Sequence, residues 1–590
     1  MQLSENAHRV LQARYLRRDA QGRVNETPEQ LFARVARAVA HAELLLGNRE
    51  QAALWEGHFY HLLTSFDFLP NSPTLMNAGT PLGQLSACFV LPVADSMESI
   101  FTAIRDMALV QRSGGGTGFS FGRLRPAGDL IASTGGTSSG PVSFMQIFDC
   151  ATENIKLGGK RRGANMGVLP VDHPDIRAFI DAKRSAGVLA NFNLSVGITD
   201  TFMNAFERNE SYELRHPVSG RVIDRLNARE VFDQIAQAAW ATGDPGLIFL
   251  DTINRLHPLP SPGHIEATNP CGEVPLLPYE ACNLGSINLA HCIKEVQDTV
   301  EVDWAHLAEV VHPAVRFLDD VLVVNHYPLP EIEVTTLANR KIGLGVMGFA
   351  ELLIRVGIPY RSEKAVTLAR QLMCFIAQEA RRTSAELAAQ RGVFPNWEQS
   401  MYASQGVQLR NSTMTSIAPT GTISIIADTS SSIEPLFALS YRRVGVLGGQ
   451  TLVEYNPLFL KIGERMGFLK AEVFDYVANQ GTLAGASQVP EAVRDVFATA
   501  LEIEPRQHLL IQAAFQSCVD NAVSKTINLP NETSPDMVAE IYREAHHLGL
   551  KGITIYRYGS VTGQVLQLGA DEEPYEKEHT SRCDPSQCKL

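Results

Sequence analysis

The chain reads as an α/β protein, and three observations predict that class. From residue 70 to about 290, short apolar runs alternate with helical stretches, as they do where strands are joined through helices. Glycine-rich turns punctuate the alternation: Arg112-Ser-Gly-Gly-Gly-Thr-Gly118, Ser133-Thr-Gly-Gly-Thr-Ser-Ser-Gly140 and Leu157-Gly-Gly-Lys-Arg-Arg-Gly163. With 45% hydrophobic and 19% charged residues over 590 positions, the chain can bury a large core. Periodicity leaves open whether the strands lie in an open sheet or close into a barrel.

The elements follow in order. Thr27-Pro28-Glu29-Gln30 offers an N-cap, a proline at the first helical position and a glutamine that completes a capping box. Leu31, Val35, Ala38, Ala42 and Leu45 then recur at helical spacing, and Gly47 ends a packing helix. Strands are expected at 87–92, 118–121, 167–170 and 192–196, with helices at 99–112, 143–154 and 228–242. Residues 302–324 and 362–390 are again helical, and short strand pieces fall at 415–419 and 552–556. There is no internal repeat. After Val565 the chain turns polar and charged and reads as a mobile tail rather than a packed element.

Charge and cysteine usage exclude several classes. Lys plus Arg number 51 against 64 Asp plus Glu, a net −13, which makes a nucleic acid polymer or a membrane surface a poor default partner. A local basic loop can still bind phosphate. No apolar run is long and charge-free enough for a membrane span, and Met1-Gln-Leu-Ser-Glu-Asn6 lacks a basic region followed by an apolar one, so a cytoplasmic protein is expected. Nine cysteines do not staple a chain this long. They fit a reduced protein with a few chemically employed thiols.

The densest constellation is Asn269-Pro270-Cys271-Gly272-Glu273, followed by Tyr279-Glu280-Ala281-Cys282-Asn283-Leu284-Gly285-Ser286. An amide two positions before a cysteine and a carboxylate two after it converge if the segment is extended, since residues i and i+2 share a strand face. That would join a sulfur centre to an acid/base group and a hydrogen-bond donor. The plainer reading is a turn with two buried cysteines. Cys88 lies in the strand-like Leu85-Ser-Ala-Cys-Phe-Val90, and a further pair, Cys583 and Cys588, lies in the polar tail. The tail pair is an incidental exposed pair, part of a metal site, or a thiol–disulfide shuttle. Cys150, Cys292, Cys374 and Cys518 stand in apolar or helical contexts and read as small core residues.

Taken together, these strings resemble the large subunits of ribonucleotide reductases, specifically the adenosylcobalamin-dependent class. The resemblance runs from about 65 to 565. It is carried by Leu69-Pro-Asn-Ser-Pro-Thr-Leu-Met-Asn-Ala-Gly79, Ser86-Ala-Cys-Phe-Val90, Asn269-Pro-Cys-Gly-Glu273, Asn283-Leu-Gly-Ser-Ile-Asn288, Ala418-Pro-Thr-Gly-Thr-Ile-Ser424 and Thr554-Ile-Tyr-Arg557. It implies a ten-stranded α/β barrel over 65–565, a helical section at 1–64 without an ATP cone, and a redox-active cysteine tail at 566–590.

The resemblance also implies roles. Cys271 would be the thiyl radical that takes hydrogen from C3′ of the ribose, Glu273 would take the 3′-hydroxyl proton, and Asn269 would bond the ribose hydroxyls. Cys88 and Cys282 would be the local reducing pair, and Cys583 and Cys588 would re-reduce them with electrons from thioredoxin or a similar donor. Ser72 and Pro419-Thr420-Gly421-Thr422 would hold the substrate phosphates. Taken alone, Pro-Thr-Gly-Thr is a common turn, although turn amides and an adjacent helix start do cradle phosphate. Gly114-Gly-Gly-Thr-Gly118 is not a Walker loop, because the Gly-Lys-Ser/Thr ending is missing.

Asp95, Arg125 and the loops 125–139 and 157–167 match the region where family members bind a deoxynucleotide or ATP effector. Lys160, Arg161 and Arg162 would supply its charge; the plain reading of that triplet is a solvated basic turn. The implied cofactors are adenosylcobalamin and magnesium carried by the nucleotides, with no dedicated protein metal site. Ribonucleoside diphosphates are the implied substrates, with triphosphates the alternative, and a homodimer is the implied assembly. Two other functions compete. An oxygen-dependent large subunit would need a separate metal subunit and adjacent C-terminal tyrosines, whereas Arg557 separates Tyr556 from Tyr558 here. The cobalamin class commonly carries aspartate where Tyr558 stands. The second alternative is a catalytically impaired nucleotide-binding redox protein that keeps the fold.

Overall fold

The computed structural model describes the chain except residues 2, 132–134, 158–160, 186, 262, 298, 447–449, 561–565 and 569–590; for 156–157, 161–162, 441–446, 450–454 and 566–568 it describes the backbone only. Two compact units emerge, one of Met1–Phe437 with Asp495–Gly563 and one of Ala438–Arg494 with Gln564–Leu590.

The barrel of the larger unit uses nine strands of its ten-stranded main sheet: β1 Cys88–Val90, β2 Gly116–Ser120, β3 Asn165–Pro170, β4 Phe192–Ile198, β5 Gly246–Phe249, β6 Glu280–Asn288, β7 Ile342–Met347, β8 Thr526–Leu529 and β9 Gly552–Arg557; the tenth, Phe68–Pro70, pairs antiparallel with β6. β1 to β5 pair in parallel in chain order. β6 pairs in parallel with β7, and β8 with β9. The segment 413–417 fills the gap between β7 and β8, bridging Leu344 through Thr415 and Val523 through Ile417, both in parallel. The two sets meet antiparallel at both junctions, β1 against β6 and β5 against β9. Ten positions therefore close into a barrel of two five-stranded halves that run in opposite directions, and closure leaves no bare edge.

Helices between successive strands cover the outside. Met97–Arg112, Pro141–Asn154 and Ala228–Thr242 serve the first half, and Trp304–Val324, Glu363–Arg391, Pro505–Gln516 and Pro535–His547 the second. Phe119 and Phe121 meet Phe148 of the helix Pro141–Asn154 in the layer between sheet and helices, where all three are fully buried, with Phe119 and Phe148 edge to face at 5.0 Å. Each such side chain contributes about 2–3 kcal/mol of burial. A second apolar cluster lies inside the barrel and includes Cys88, Val90, Met166, Val168, Ile248, Val274, Leu276 and Cys282.

The capping box read from Thr27 and Gln30 forms, and it starts the helix Pro28–Leu45. Leu31, Val35 and Ala42 are buried on its inner face, whereas Leu45 is exposed at the frayed end. Glu43 of this helix enters a buried network with Arg316 and Arg391, which extends through Asp319 to Arg340 and Arg410. Burial alone would raise the Asp319 carboxyl, but the three guanidiniums outweigh it and hold it far below the ordinary range. Removing one partner of such a network leaves a buried charge and costs about 3–5 kcal/mol.

The smaller unit pairs Ser440–Val446 with Gln450–Tyr455 and carries the helices Pro457–Met466 and Ala471–Gln480. Leu566–Leu568 adds a third strand, so the stretch read as tail begins with a paired segment.

Candidate active site

The chain leaves β5 and enters a hairpin whose stems, Ala267–Thr268 and Pro275–Leu276, pair antiparallel. The first stem packs on β1, β2 and β3 inside the barrel. Glycine makes room for it. A Cβ on Gly118 would lie 1.7 Å from the Thr268 carbonyl oxygen, and one on Gly116 would lie 2.8 Å from Pro270 Cγ. Gly116 and Gly118, at the strand end of the glycine run already set apart from phosphate loops, thus let a second backbone pass over the strand.

The tip, 269–274, is a turn rather than the extended strand that would have aligned Asn269, Cys271 and Glu273 on one face. Gly272 adopts φ +83°, which a β-carbon resists, and the Asn269 side-chain oxygen accepts from Val274 N at 2.9 Å. Both half-barrels then fix the tip. Asn193 of β4 donates to the Pro270 carbonyl at 2.8 Å, while Ser416 Oγ and Ala522 N each donate to the Glu273 carbonyl at 2.9 Å. Cys271 therefore sits between two anchored peptide groups. Asn193, Ser416 and Ala522 were not singled out from sequence. A polar residue at a lumen-facing strand position is the only local signal Asn193 offers.

Cys271 is exposed at the tip, whereas Cys88 and Cys282 are buried. These two lie directly opposite each other where β1 meets β6. Cross-strand partners place their Cβ atoms about 4.5–5.5 Å apart, close to the span of a disulfide. Asn269 Nδ2 donates to Cys88 Sγ at 3.2 Å, and Cys88 Sγ donates to Glu273 Oε1 at 4.0 Å. The structure thus gathers Asn269, Glu273, Cys88 and Cys282 around one turn, with Cys271 at its apex. Burial pushes the Cys282 thiol well above its ordinary range, so it is a neutral S–H donor at pH 7. Two residues earlier, Glu280 and Lys341 form a buried pair at 2.8 Å, and Asn339 takes the other carboxylate oxygen at 2.7 Å.

The remaining candidates fall as follows. Ser72 opens the helix Ser72–Asn77, and its hydroxyl meets Tyr15 OH at 2.7 Å. Pro419 to Thr422 form the turn that follows the 413–417 segment. Within it Thr420 takes φ +56° and its Oγ1 accepts from Ser432 N at 2.7 Å, while a Cβ on Gly421 would meet nothing within 4 Å. Asp95 and Arg125 pair with each other at 2.7 Å, and Arg125 also donates to the Leu130 carbonyl. The backbones of Arg161 and Arg162 form a strand against Lys156–Leu157, while Lys160, Cys583 and Cys588 lie outside the described residues.

Three of the four cysteines read as core residues are otherwise placed. Cys150 is exposed, and Cys374 and Cys518 form a disulfide, with Cα atoms 5.0 Å apart; Cys292 alone is buried as expected. Glu363–Arg391 packs on Pro505–Gln516 and brings the pair together across 144 residues, a proximity no local pattern carries.

A closed barrel of two opposed halves, threaded by a hairpin that presents a cysteine, defines the class. The chain belongs to the ribonucleotide reductase family: the family's barrel domain matches residues 86–409 and 404–556, and its all-alpha domain matches residues 1–83. Among its relatives, the chain is 52% identical over 571 residues to a vitamin B12-dependent ribonucleoside-diphosphate reductase of Mycobacterium tuberculosis, covering 97% of this chain and 81% of the relative. It is 47% identical over 635 residues to the enzyme of the same description from Thermoplasma acidophilum, covering 98% and 82%. The class Id ribonucleotide reductase alpha subunit of Actinobacillus ureae shares the fold, with a TM-score of 0.76 at 24% identity over 94% of this chain and 97% of that one.

Proposed function

We propose that the chain reduces ribonucleoside diphosphates to 2′-deoxyribonucleoside diphosphates by radical chemistry that depends on adenosylcobalamin. The observation that carries this reading is the cross-strand pair Cys88 and Cys282 beside a turn that bears Cys271, Asn269 and Glu273. Hydroxide is a poor leaving group and C2′ has no adjacent carbonyl, so ordinary acid/base chemistry does not remove the 2′-hydroxyl; a radical at C3′ does make it labile.

In this reading the Cys271 sulfur takes the hydrogen atom from C3′, and Glu273 accepts the 3′-hydroxyl proton while Asn269 bonds the ribose hydroxyls. The 2′-hydroxyl leaves as water with a proton from the thiol pair. Cys88 and Cys282 supply two electrons and, besides the proton that leaves with the water, the hydrogen that C2′ gains; they finish as a disulfide, Glu273 returns its proton to the 3′-oxygen, and Cys271 returns its hydrogen atom to C3′. The raised Cys282 thiol suits this role, because it keeps its proton until the chemistry calls for it. Fixing Cys271 from both half-barrels matters because about 1 Å of misplacement is enough to cost roughly a hundredfold in rate.

When bound, adenosylcobalamin would supply the initiating radical that Cys271 takes up. The hairpin tip is open to approach: Cys271 is exposed, and a Cβ on Gly272 would meet nothing within 4 Å. Among the described residues, no group of three or more His, Cys, Asp or Glu forms a metal site, and in this reading magnesium arrives with the nucleotide.

Further parts of the proposal rest on the family motifs. Ser72 and Pro419 to Thr422 take the phosphates. Asp95, Arg125, Lys160, Arg161 and Arg162 belong to the effector region for a deoxynucleotide or ATP, with Arg125 exchanging some of its contact with Asp95 for the ligand. Residues 1–64 form a helical section, 65–565 the catalytic part and 566–590 the cysteine tail, through which thioredoxin reduces the buried pair by way of Cys583 and Cys588. A homodimer through the helices Met97–Arg112 and Pro141–Asn154 is supported by exposed Met97, Phe101 and Ile147. A cytoplasmic location is part of this reading; no helix among the described residues is long and apolar enough to cross a membrane.

The test is anaerobic conversion of CDP to dCDP with dithiothreitol, with and without adenosylcobalamin, across a deoxynucleotide effector panel and with CTP in parallel. Product that requires adenosylcobalamin is the expected result. Reduction of CTP alone would revise the substrate to triphosphates, and no product from folded, effector-supplied protein would turn the reading toward a missing radical subunit.

A further inference from the structure

The buried hydroxyl of Tyr15 belongs to none of the parts assigned above. Its side chain is 3% exposed, and its OH lies 2.7 Å from Ser72 Oγ across 57 residues of sequence. The segment that carries it runs from the helix Glu5–Val10 through the wide turn Leu11–Tyr15 and is tied down beyond it. Arg17 donates to the Gly79 carbonyl and Arg34 to the Ala78 carbonyl, and both are held by the buried Glu26, which accepts from Arg17 N at 3.0 Å and Arg34 Nε at 2.7 Å. Helix Glu5–Val10 also packs on Ile423–Ile426, immediately after the Pro419 to Thr422 turn. One N-terminal segment therefore meets Ser72 directly and packs on the helix that follows the Pro419 to Thr422 turn.

We infer that Tyr15 is a positioning residue for phosphate recognition, holding the Ser72 hydroxyl so that its proton points to the substrate. This rests on the reading of Ser72 as a phosphate contact. The chemistry is directional. A serine hydroxyl has one proton and two lone pairs, and its rotor is free unless a neighbour fixes it. A phenol is the more acidic partner, so Tyr15 donates to Ser72 Oγ and leaves the serine proton to donate outward. An anion at the end of such a chain strengthens both bonds, because each polarises the next. With Tyr15 silent, Ser72 can turn its proton to a local acceptor, and the phosphate must first reorient it.

The test is equilibrium dialysis of CDP against four proteins: wild type, Tyr15→Phe, Ser72→Ala and the double variant, each checked for an unchanged melting midpoint. Phenylalanine keeps the buried ring and removes only the hydroxyl. Tyr15→Phe is expected to weaken CDP binding about three- to tenfold, the change that one neutral hydrogen bond supplies, with kcat within twofold of wild type. In the Ser72→Ala background the same change is expected to add nothing. If Ser72→Ala weakens CDP and Tyr15→Phe does not, the inference fails while the phosphate reading stands. If neither matters, the phosphate reading itself fails. Equal, additive losses would show that Tyr15 acts independently of Ser72 and overturn the inference as well.

Discussion

Replacing Gly118 with alanine tests whether the hairpin's seat in the barrel governs the chemistry. The new Cβ would stand 1.7 Å from the Thr268 carbonyl oxygen, and ordinary contact begins at 3.4 Å, so the stem has to retreat by about 1.7 Å. The obstacle is backbone on both sides, which leaves no flexible side chain to yield. Thr268 is adjacent to Asn269, and only two residues separate it from Cys271, so the displacement reaches the thiol and the Glu273 carboxylate. Since roughly 1 Å of misplacement costs about a hundredfold, kcat for CDP reduction should fall at least about 100-fold. Overpacking should also lower stability by about 1–3 kcal/mol, which leaves the barrel folded. Gly57→Ala is the control: a Cβ there meets nothing within 4 Å, in the middle of the helix Arg49–Thr64, and turnover should be unchanged. Anaerobic steady-state kinetics with melting curves read both. A folded Gly118→Ala protein that retains kcat within threefold of wild type would refute the reasoning.

Other consequences are open to measurement. Lys341→Met leaves Glu280 buried without its cation and should destabilise the protein by about 3–5 kcal/mol in urea; a loss below about 1 kcal/mol would mean that Asn339 and the Leu277 amide suffice. Burial, outweighing the Thr429 hydrogen bond and nearby Arg355, raises the Glu351 carboxyl from 4.5 to about 7. The folded state then holds more protons than the unfolded between those values, so this contribution to stability falls as pH rises from 4.5 to 7 and is level above. Glu351→Gln should flatten that slope and add about 3 kcal/mol at pH 8 relative to wild type, whereas identical pH profiles of the melting midpoint would contradict it. Cys583→Ser or Cys588→Ser should depress thioredoxin-supported turnover while sparing a single turnover by pre-reduced protein. Equal losses in both assays would remove the shuttle assignment.

How much of this was legible in the sequence differs between the two half-barrels. In the first, Phe192–Ile198 and Asn165–Pro170 are short apolar runs between glycine-rich turns, and the strands were read within a few residues. Helix Ala228–Thr242 was read at its observed bounds. The second half hides most of its strands, although Gly552–Arg557 was read to within a residue at 552–556 and the 413–417 segment to within two at 415–419. Glu280–Asn288 is buried at all nine positions, so it shows no alternation, and its Glu, Cys, Asn and Ser residues look like a polar turn until their partners are known. Ile342–Met347 reads as one end of a longer apolar stretch that continues into the helix Phe349–Arg355. The 413–417 segment is held by isolated bridges and has almost no ladder of its own.

The site divides in the same way. Asn269, Cys271 and Glu273 stand within five residues, so their association is local, although a turn and not a strand face brings it about. Pairing Cys88 with Cys282 needed the family resemblance, because 194 positions separate them and only the β1–β6 junction brings them together. The two opposed halves show no repeat in sequence: the barrel requires only that each half supply five parallel positions, and quite different residues meet that requirement.

The central claim is that Cys271 starts the chemistry and that Cys88 and Cys282 supply its electrons. The direct measurement uses pre-reduced Cys583→Ser/Cys588→Ser protein, incubated anaerobically with CDP, effector and adenosylcobalamin but no external reductant, then quenched for dCDP and mapped for disulfides. About one dCDP per chain, with a new Cys88–Cys282 disulfide and neither when Cys271 is also changed to serine, is the predicted result. Formation of dCDP by the Cys271→Ser protein, or dCDP formed while Cys88 and Cys282 remain thiols, would contradict it.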